Sequence, residues 1–226
     1  MVKDNKNKKN ESFGEVEVAL TKTEQFLEKH LNLVLYVIAG IVVVVLGFLS
    51  IKRYYVSPRN TEALEQMFQA QNYFETDSFS LAVNGDGISL GFLDIIDEYG
   101  STKAGNLAKY YTGISYLHMG EYDLALDYLK KFKTDDMLLE PLAQSGIGDA
   151  YSELEEYNKA IAAYQKAIKI NSNELTTPAI QVKLALVYEA TGEKDKALEL
   201  FKAIKDDYPG YSDAVLVEKN IARLSQ

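Results

Sequence analysis

The chain has no cysteine and only two histidines among its 226 residues. The first absence excludes disulfides and thiolate metal sites; it fits an oxidising compartment without requiring one. The histidines, His30 and His118, fall far apart, at the edge of an apolar run and near a helix end, so each reads as structural rather than as a metal ligand or base. Positive charge is also scarce beyond the first quarter of the chain. From Asn60 onward 15 basic residues face 27 acidic ones, a formal −12 within a whole-chain charge of −9. Such a surface repels phosphate backbones, so nucleic acid is not an expected partner. The carboxylate pairs Glu155-Glu156 and Asp206-Asp207 fall in turns or at helix ends, where solvation explains them and acid–base chemistry lacks a dry pocket. Gly85, Gly87 and Gly91 have the wrong spacing for a phosphate loop and no strand before them; Asn84-Gly85-Asp86-Gly87 reads as a connecting turn. No catalytic residue, cofactor site or metal site is expected, and the chain reads as a non-enzyme.

What the chain does have is one long apolar run. Leu31 to Ile51 contains no charged residue, with Ile41-Val42-Val43-Val44-Val45-Leu46 at its centre. As a helix it is about 30 Å long, the thickness of a bilayer's hydrocarbon core. Lys52, Arg53, Tyr54 and Tyr55 follow, as interfacial anchors do. The run begins too late, is too long and lacks a small-residue cleavage site, so it reads as a transmembrane anchor over 31–55 rather than a signal peptide. Lysines before it (Lys3, Lys6, Lys8, Lys9, Lys22, Lys29) and the basic residues after it (Lys52, Arg53, Arg59) nearly balance near the span, so charge alone does not orient it. The segment 1–30 reads as a polar tail followed by a short amphipathic helix, Glu15 to His30, with Thr21 and Glu24 at capping-box spacing.

The rest is periodic. Gly113, Tyr116, Gly120, Tyr122, Ala125, Leu129 and Phe132 recur as Gly148, Tyr151, Glu155, Tyr157, Ala160, Tyr164 and Ala167. They recur again as Ala185, Tyr188, Gly192, Lys194, Ala197, Phe201 and Ile204. The spacing is close to the period of about 34 residues of a tetratricopeptide repeat, and the chain resembles that family over 104–209. The expected fold is all-α: a tetratricopeptide-repeat solenoid of helical hairpins preceded by a single transmembrane helix. The repeat-packing positions are Gly113, Tyr116, Ala125, Gly148, Tyr151, Ala160, Ala185, Tyr188 and Ala197. There the small residues let helices approach and the tyrosines fill the space beside them. Gly120 and Gly192 end the first helices of their hairpins, and Thr177 before Pro178 reads as an N-cap.

Residues 60–103 read as a divergent first hairpin. A helix begins after the break Ser57-Pro58-Arg59 and carries Leu64, Met67, Phe68, Gln71 and Phe74; a second spans Ile88 to Tyr99 with the stripe Leu90, Leu93, Ile96 and Tyr99. Residues 210–226 read as a capping helix with Ser212 as N-cap and Val215, Leu216, Ile221 and Leu224 as its apolar residues.

The resemblance implies a concave groove lined by first helices, which takes peptide segments or partner helices. By position it would be lined by Leu107, Tyr110, Ile114 and Leu117, then Leu142, Ser145, Asp149 and Ser152, then Ala179, Val182, Leu186 and Glu189. The alternative is that the terminal helices cover these residues. Tyr110 and Ile114 stand where the lysine and asparagine of a chaperone-tail clamp would be, so the chain departs from that pattern. Tail, single span, divergent hairpin and repeats together resemble the YfgM-type ancillary SecYEG translocon subunits. That resemblance implies a bacterial inner-membrane protein with cytoplasmic N-terminus and periplasmic repeats. Its implied partners are the SecYEG translocon, a membrane-anchored prolyl-isomerase-type chaperone and newly translocated chains. The other reading is a structural scaffold that holds one stable envelope or cytoplasmic membrane complex and has no client-binding role.

Overall fold

The computed structural model describes residues 29–226, and the chain divides into two units, Met1–Val56 and Ser57–Gln226. The tail and amphipathic helix expected before Lys29 lie outside the described residues.

In the first unit, helix α1 occupies residues 29–51 and a π-helical turn follows at Lys52–Val56. The large apolar residues from Leu31 to Ile51 are nearly all exposed among the described residues. Helix α1 lies in the one helical stretch among the described residues that is long and apolar enough to cross a membrane. Exposed apolar surface on this scale is costly in water, whereas in hydrocarbon every backbone group of a helix is already satisfied. The sequence suggested a break at Ser57-Pro58-Arg59, but helix α2 starts at Ser57 and carries Pro58 in its first turn. A proline removes one bond of the helical ladder and crowds the carbonyl four residues back; the irregularity appears upstream as the wider π turn.

The second unit is all-helical. After α2 (Ser57–Glu75) come α3 (Phe79–Asn84), α4 (Phe92–Tyr99), α5 (Lys103–His118) and α6 (Tyr122–Lys131). They are followed by α7 (Leu139–Glu153), α8 (Tyr157–Ile170), α9 (Thr177–Ala190), α10 (Lys194–Asp207) and α11 (Ala214–Leu224). Three hairpins, α5–α6, α7–α8 and α9–α10, stack in sequence, each packing on the next. The hydrophobic core is accordingly a row of clusters. One joins α2–α5, one lies mainly among α6, α7 and α8, and one joins α8–α11.

The close approach of paired helices is set by single small residues. A Cβ on Gly113 would lie 2.6 Å from Leu129 Cγ, and one on Gly148 would lie 2.6 Å from the Tyr164 ring. Ala125, Ala160 and Ala197 are wholly buried on the second helices. All three first helices also end alike. The carbonyls of Tyr116, Tyr151 and Tyr188 accept from the amides of Glu121, Glu156 and Glu193, at 2.9, 2.9 and 2.7 Å. This closure needs a left-handed residue one position earlier, and Gly120 (φ 78°) and Gly192 (φ 84°) supply it. The second repeat uses Glu155 at φ 58°, a conformation that a side chain makes less favourable.

Several local expectations shift. The buried face of α2 is Ala63, Met67 and Ala70, while Leu64 and Phe68 are exposed. The second stripe is Phe92, Ile95 and Tyr99, because α4 begins only after Gly91, whose amide donates to Asp94 at 3.0 Å. Ile88 precedes that helix and is 96% exposed. In the intervening loop the Asp86 carboxylate accepts from the amides of Ile88 and Ser89 and from the Tyr73 hydroxyl. These bonds hold its pKa down to about 2, the Ser89 amide having the largest effect.

Thr177 is the first residue of α9 rather than its cap; its hydroxyl accepts from the Asn173 amide at 2.9 Å. Asp213, not Ser212, precedes α11, with no side-chain capping bond. Sequence reading missed the side-chain acceptors Thr102, which takes the Gly105 amide at the start of α5, and Asp136, which takes the amides of Leu138 and Leu139 at 2.9 Å each at the start of α7.

Candidate functional site: the first-helix face

Helices α5, α7 and α9 contact one another in order, α5 with α7 and α7 with α9, so their common face runs across all three repeats. The residues expected on it fall into distinct environments. Leu142 and Leu186 are open, at 37% and 47% exposure. Ser145 and Val182 are buried. Leu107, Tyr110, Ile114 and Leu117 are half-buried and pack against the cluster centred on α6 and α7. Tyr110 lies 5.5 Å from the Phe132 ring, and burial is the main cause of its raised pKa. Ile114 reaches across to α7, where its Cδ1 would lie 3.0 Å from a Cβ on Gly146. Much of the apolar first set is therefore occupied in joining one repeat to the next.

Asp149 is half-buried and multiply bonded. It accepts from the Tyr164 hydroxyl at 2.7 Å and pairs with Lys183 Nζ at 2.7 Å. Lys183 also points to the Ser145 hydroxyl at 3.5 Å. Burial raises the Tyr164 pKa, and the neighbouring carboxylate of Asp149 raises it further. The result is a neutral phenol and a paired carboxylate joining α7, α8 and α9. At the far end, Glu189 accepts from both terminal guanidinium nitrogens, Nη1 and Nη2, of Arg223 of α11. That hydrogen bonding holds the Glu189 carboxyl below its usual range. Ser152 and Ala179 are half-buried.

Sequence reading by repeat position found Asp149 and Glu189 but not Lys183 or Arg223. A signal existed: each acid is separated from its base by 34 residues, one repeat period. Opposite charges one period apart meet where repeats stack.

Nothing on this face has the geometry of a catalytic centre. Its acids are paired with bases, and among the described residues no three His, Asp or Glu side chains gather as a metal site would require. His118 stacks on Phe79 with ring centroids 4.5 Å apart and planes 3° from parallel, a packing role.

Comparison with known proteins agrees with this arrangement. Tetratricopeptide repeat family models match residues 107–136, 141–174 and 180–211. A TPR repeat-containing protein of Methanocaldococcus jannaschii is 27% identical over 148 residues; the match covers 65% of this chain but only 25% of that protein. Among solved structures, nearly identical TPR-like repeats from Podosopora anserina superpose with a TM-score of 0.58 at 16% identity, covering 73% of this chain and 86% of theirs. The MamA protein superposes with a TM-score of 0.54 at 23% identity, covering 72% of this chain and 80% of its own. At these identities the structural likeness establishes the fold alone. Helices α5 to α10 are three stacked tetratricopeptide repeats, a fold whose general use is to bind other proteins.

Proposed function

We propose that this protein is a membrane-anchored interaction module, an ancillary translocon component of the bacterial inner membrane that contacts newly translocated chains. In this reading α1 crosses the membrane with its N-terminus in the cytoplasm, and the repeats stand on the periplasmic side beside SecYEG and a membrane-anchored prolyl-isomerase-type chaperone. The concave groove is the first-helix face, and the protein carries out no chemistry. The observation that carries the proposal is the pairing, in one chain, of a largely exposed apolar helix with repeats whose shared face leaves Leu142 and Leu186 open. Two exposed leucines on adjacent repeats suit transient contact with apolar client segments, and their small area fits weak, promiscuous binding.

The test is photo-crosslinking in intact cells from a reactive residue placed at Leu142 or Leu186. Adducts with translocon components and a heterogeneous set of exported chains are expected. A single crosslinked partner that, without crosslinking, also co-purifies stoichiometrically through high salt would instead identify a structural scaffold. Its supporting observation is that Leu107, Tyr110, Ile114 and Leu117 are already engaged between repeats.

A further inference from the structure

The second unit is strongly acidic, yet one cleft gathers its cations. Between the outer helices α6 and α8, over α7, lies a concavity of about 520 Å³, within the ~300–1,000 Å³ range of ligand pockets. Leu129, Phe132, Ala143, Ile147 and Ala163 form its apolar floor. Lys130, Lys133, Lys159 and Lys166 rise around it, all exposed. These are four of the 15 basic residues from Asn60 onward. Of these four only Lys159 has an acidic partner among the described residues, its half-buried neighbour Glu156. Lys130 and Lys159 lie 5.0 and 5.2 Å from the centre of the same Tyr151 ring, which brings both ammonium groups to one side of the cleft. Cations with so little neutralisation repel one another, so this arrangement invites an anionic occupant.

The floor narrows its chemistry. A bare phosphate would leave the buried alkyl surface of Ile147, Ala143 and Ala163 unused. It would also face the Glu140 carboxylate that shares the lining. The site has no arginine fork for phosphate. A polypeptide with acidic side chains spaced among apolar ones fits each part. Its carboxylates meet the lysines, its apolar side chains meet the floor, and its main-chain amides can donate to Glu140 and Gln144. We propose that the cleft between α6 and α8 docks an acidic, partly apolar segment of a partner protein. The cleft's lining shares no residue with those named on the first-helix face, so one can hold a client while the other holds a fixed partner.

The test uses the full chain in neutral-lipid nanodiscs and a labelled peptide of glutamate and leucine at helical spacing, with binding read by fluorescence anisotropy. Lys130→Glu with Lys166→Glu is expected to weaken binding by about tenfold or more, and raised salt should weaken the parent complex. Lys133→Gln with Lys166→Gln, which removes charge without reversing it, should give a smaller loss in the same direction. Leu142→Ser with Leu186→Ser should leave binding unchanged, which separates this site from the first-helix face. Unchanged affinity in both lysine variants would overturn the proposal. So would equal binding of a leucine-free glutamate peptide, displacement by inorganic phosphate at an ionic strength where chloride does not displace, or preference for anionic vesicles over the peptide.

Discussion

Helix α1 and the repeats use the same residue types in opposite ways. Along α1 the valines, leucines and isoleucines are nearly all exposed, whereas in α5–α10 Phe201, Ile204, Leu129 and the repeat alanines are sealed from solvent. The repeats achieve this with small residues at fixed positions, and α1 makes no such provision; its Gly40 and Gly47 have open space around them. The difference is the one expected if, as proposed above, one chain meets two solvents. In the repeats apolar surface is removed from water by neighbouring hairpins, while for α1 the proposed reading gives that task to lipid.

That comparison can be broken at either end. Phe201 is fully buried between the third repeat and the C-terminal helix. Phe201→Ala should cost the second unit about 3–5 kcal/mol. Val43→Ala should leave thermal unfolding of the repeats unmoved, and calorimetry on both variants checks the contrast. Val43→Arg places a charge near the middle of α1 and should cost about 2.5–3.5 kcal/mol of insertion, read as a shift of the protein out of the membrane fraction. Equal membrane recovery for Val43→Arg and the parent would deny that α1 spans.

Smaller effects sharpen the contrast among the repeats. Gly148→Ala drives a methyl group into the Tyr164 ring, which Asp149 holds by its hydroxyl. A loss of about 1–3 kcal/mol is expected in denaturant melts, since the ring cannot step aside freely. Glu155→Gly should do the opposite. Repeats one and three close their first helices on glycine, and giving the second the same residue at φ 58° should stabilise it by about 0.5–1 kcal/mol. A destabilised Glu155→Gly variant would mean that the glutamate side chain does something in the fold that outweighs its backbone conformation.

Much of this architecture could be read from sequence because it rests on steric necessities. Glycine at 113 and 148, and alanine at 185, are each small where a second helix crosses, and the left-handed turn repeats at 120, 155 and 192. Caps were harder to read because several acceptors compete in short segments. Thr177 looked like a cap from its neighbour Pro178, yet Asn173 organises that turn through bonds with Leu175, Thr176 and Thr177. The stripe over 88–99 slipped because Asp86 holds Ile88 and Ser89 in a loop, which delays the helix to Phe92. On the first-helix face, repeat position assigns a residue to a helix side but says nothing of what the next hairpin lays over it. That is why Val182 and Ser145 are interior while Leu142 and Leu186 are open. The lysine cleft had no sequence pattern at all, since its cations come from two helices and the loop between their hairpins.

The central claim, one chain divided between lipid and the far aqueous side, has a direct test made clean by the absence of cysteine. Lys194 is exposed at the start of α10, so Lys194→Cys adds a lone reactive thiol. Cells are treated with a membrane-impermeant maleimide after only the outer layer has been opened. The account predicts labelling in those cells. Labelling only after the inner membrane is lysed would put the repeats in the cytoplasm and contradict it.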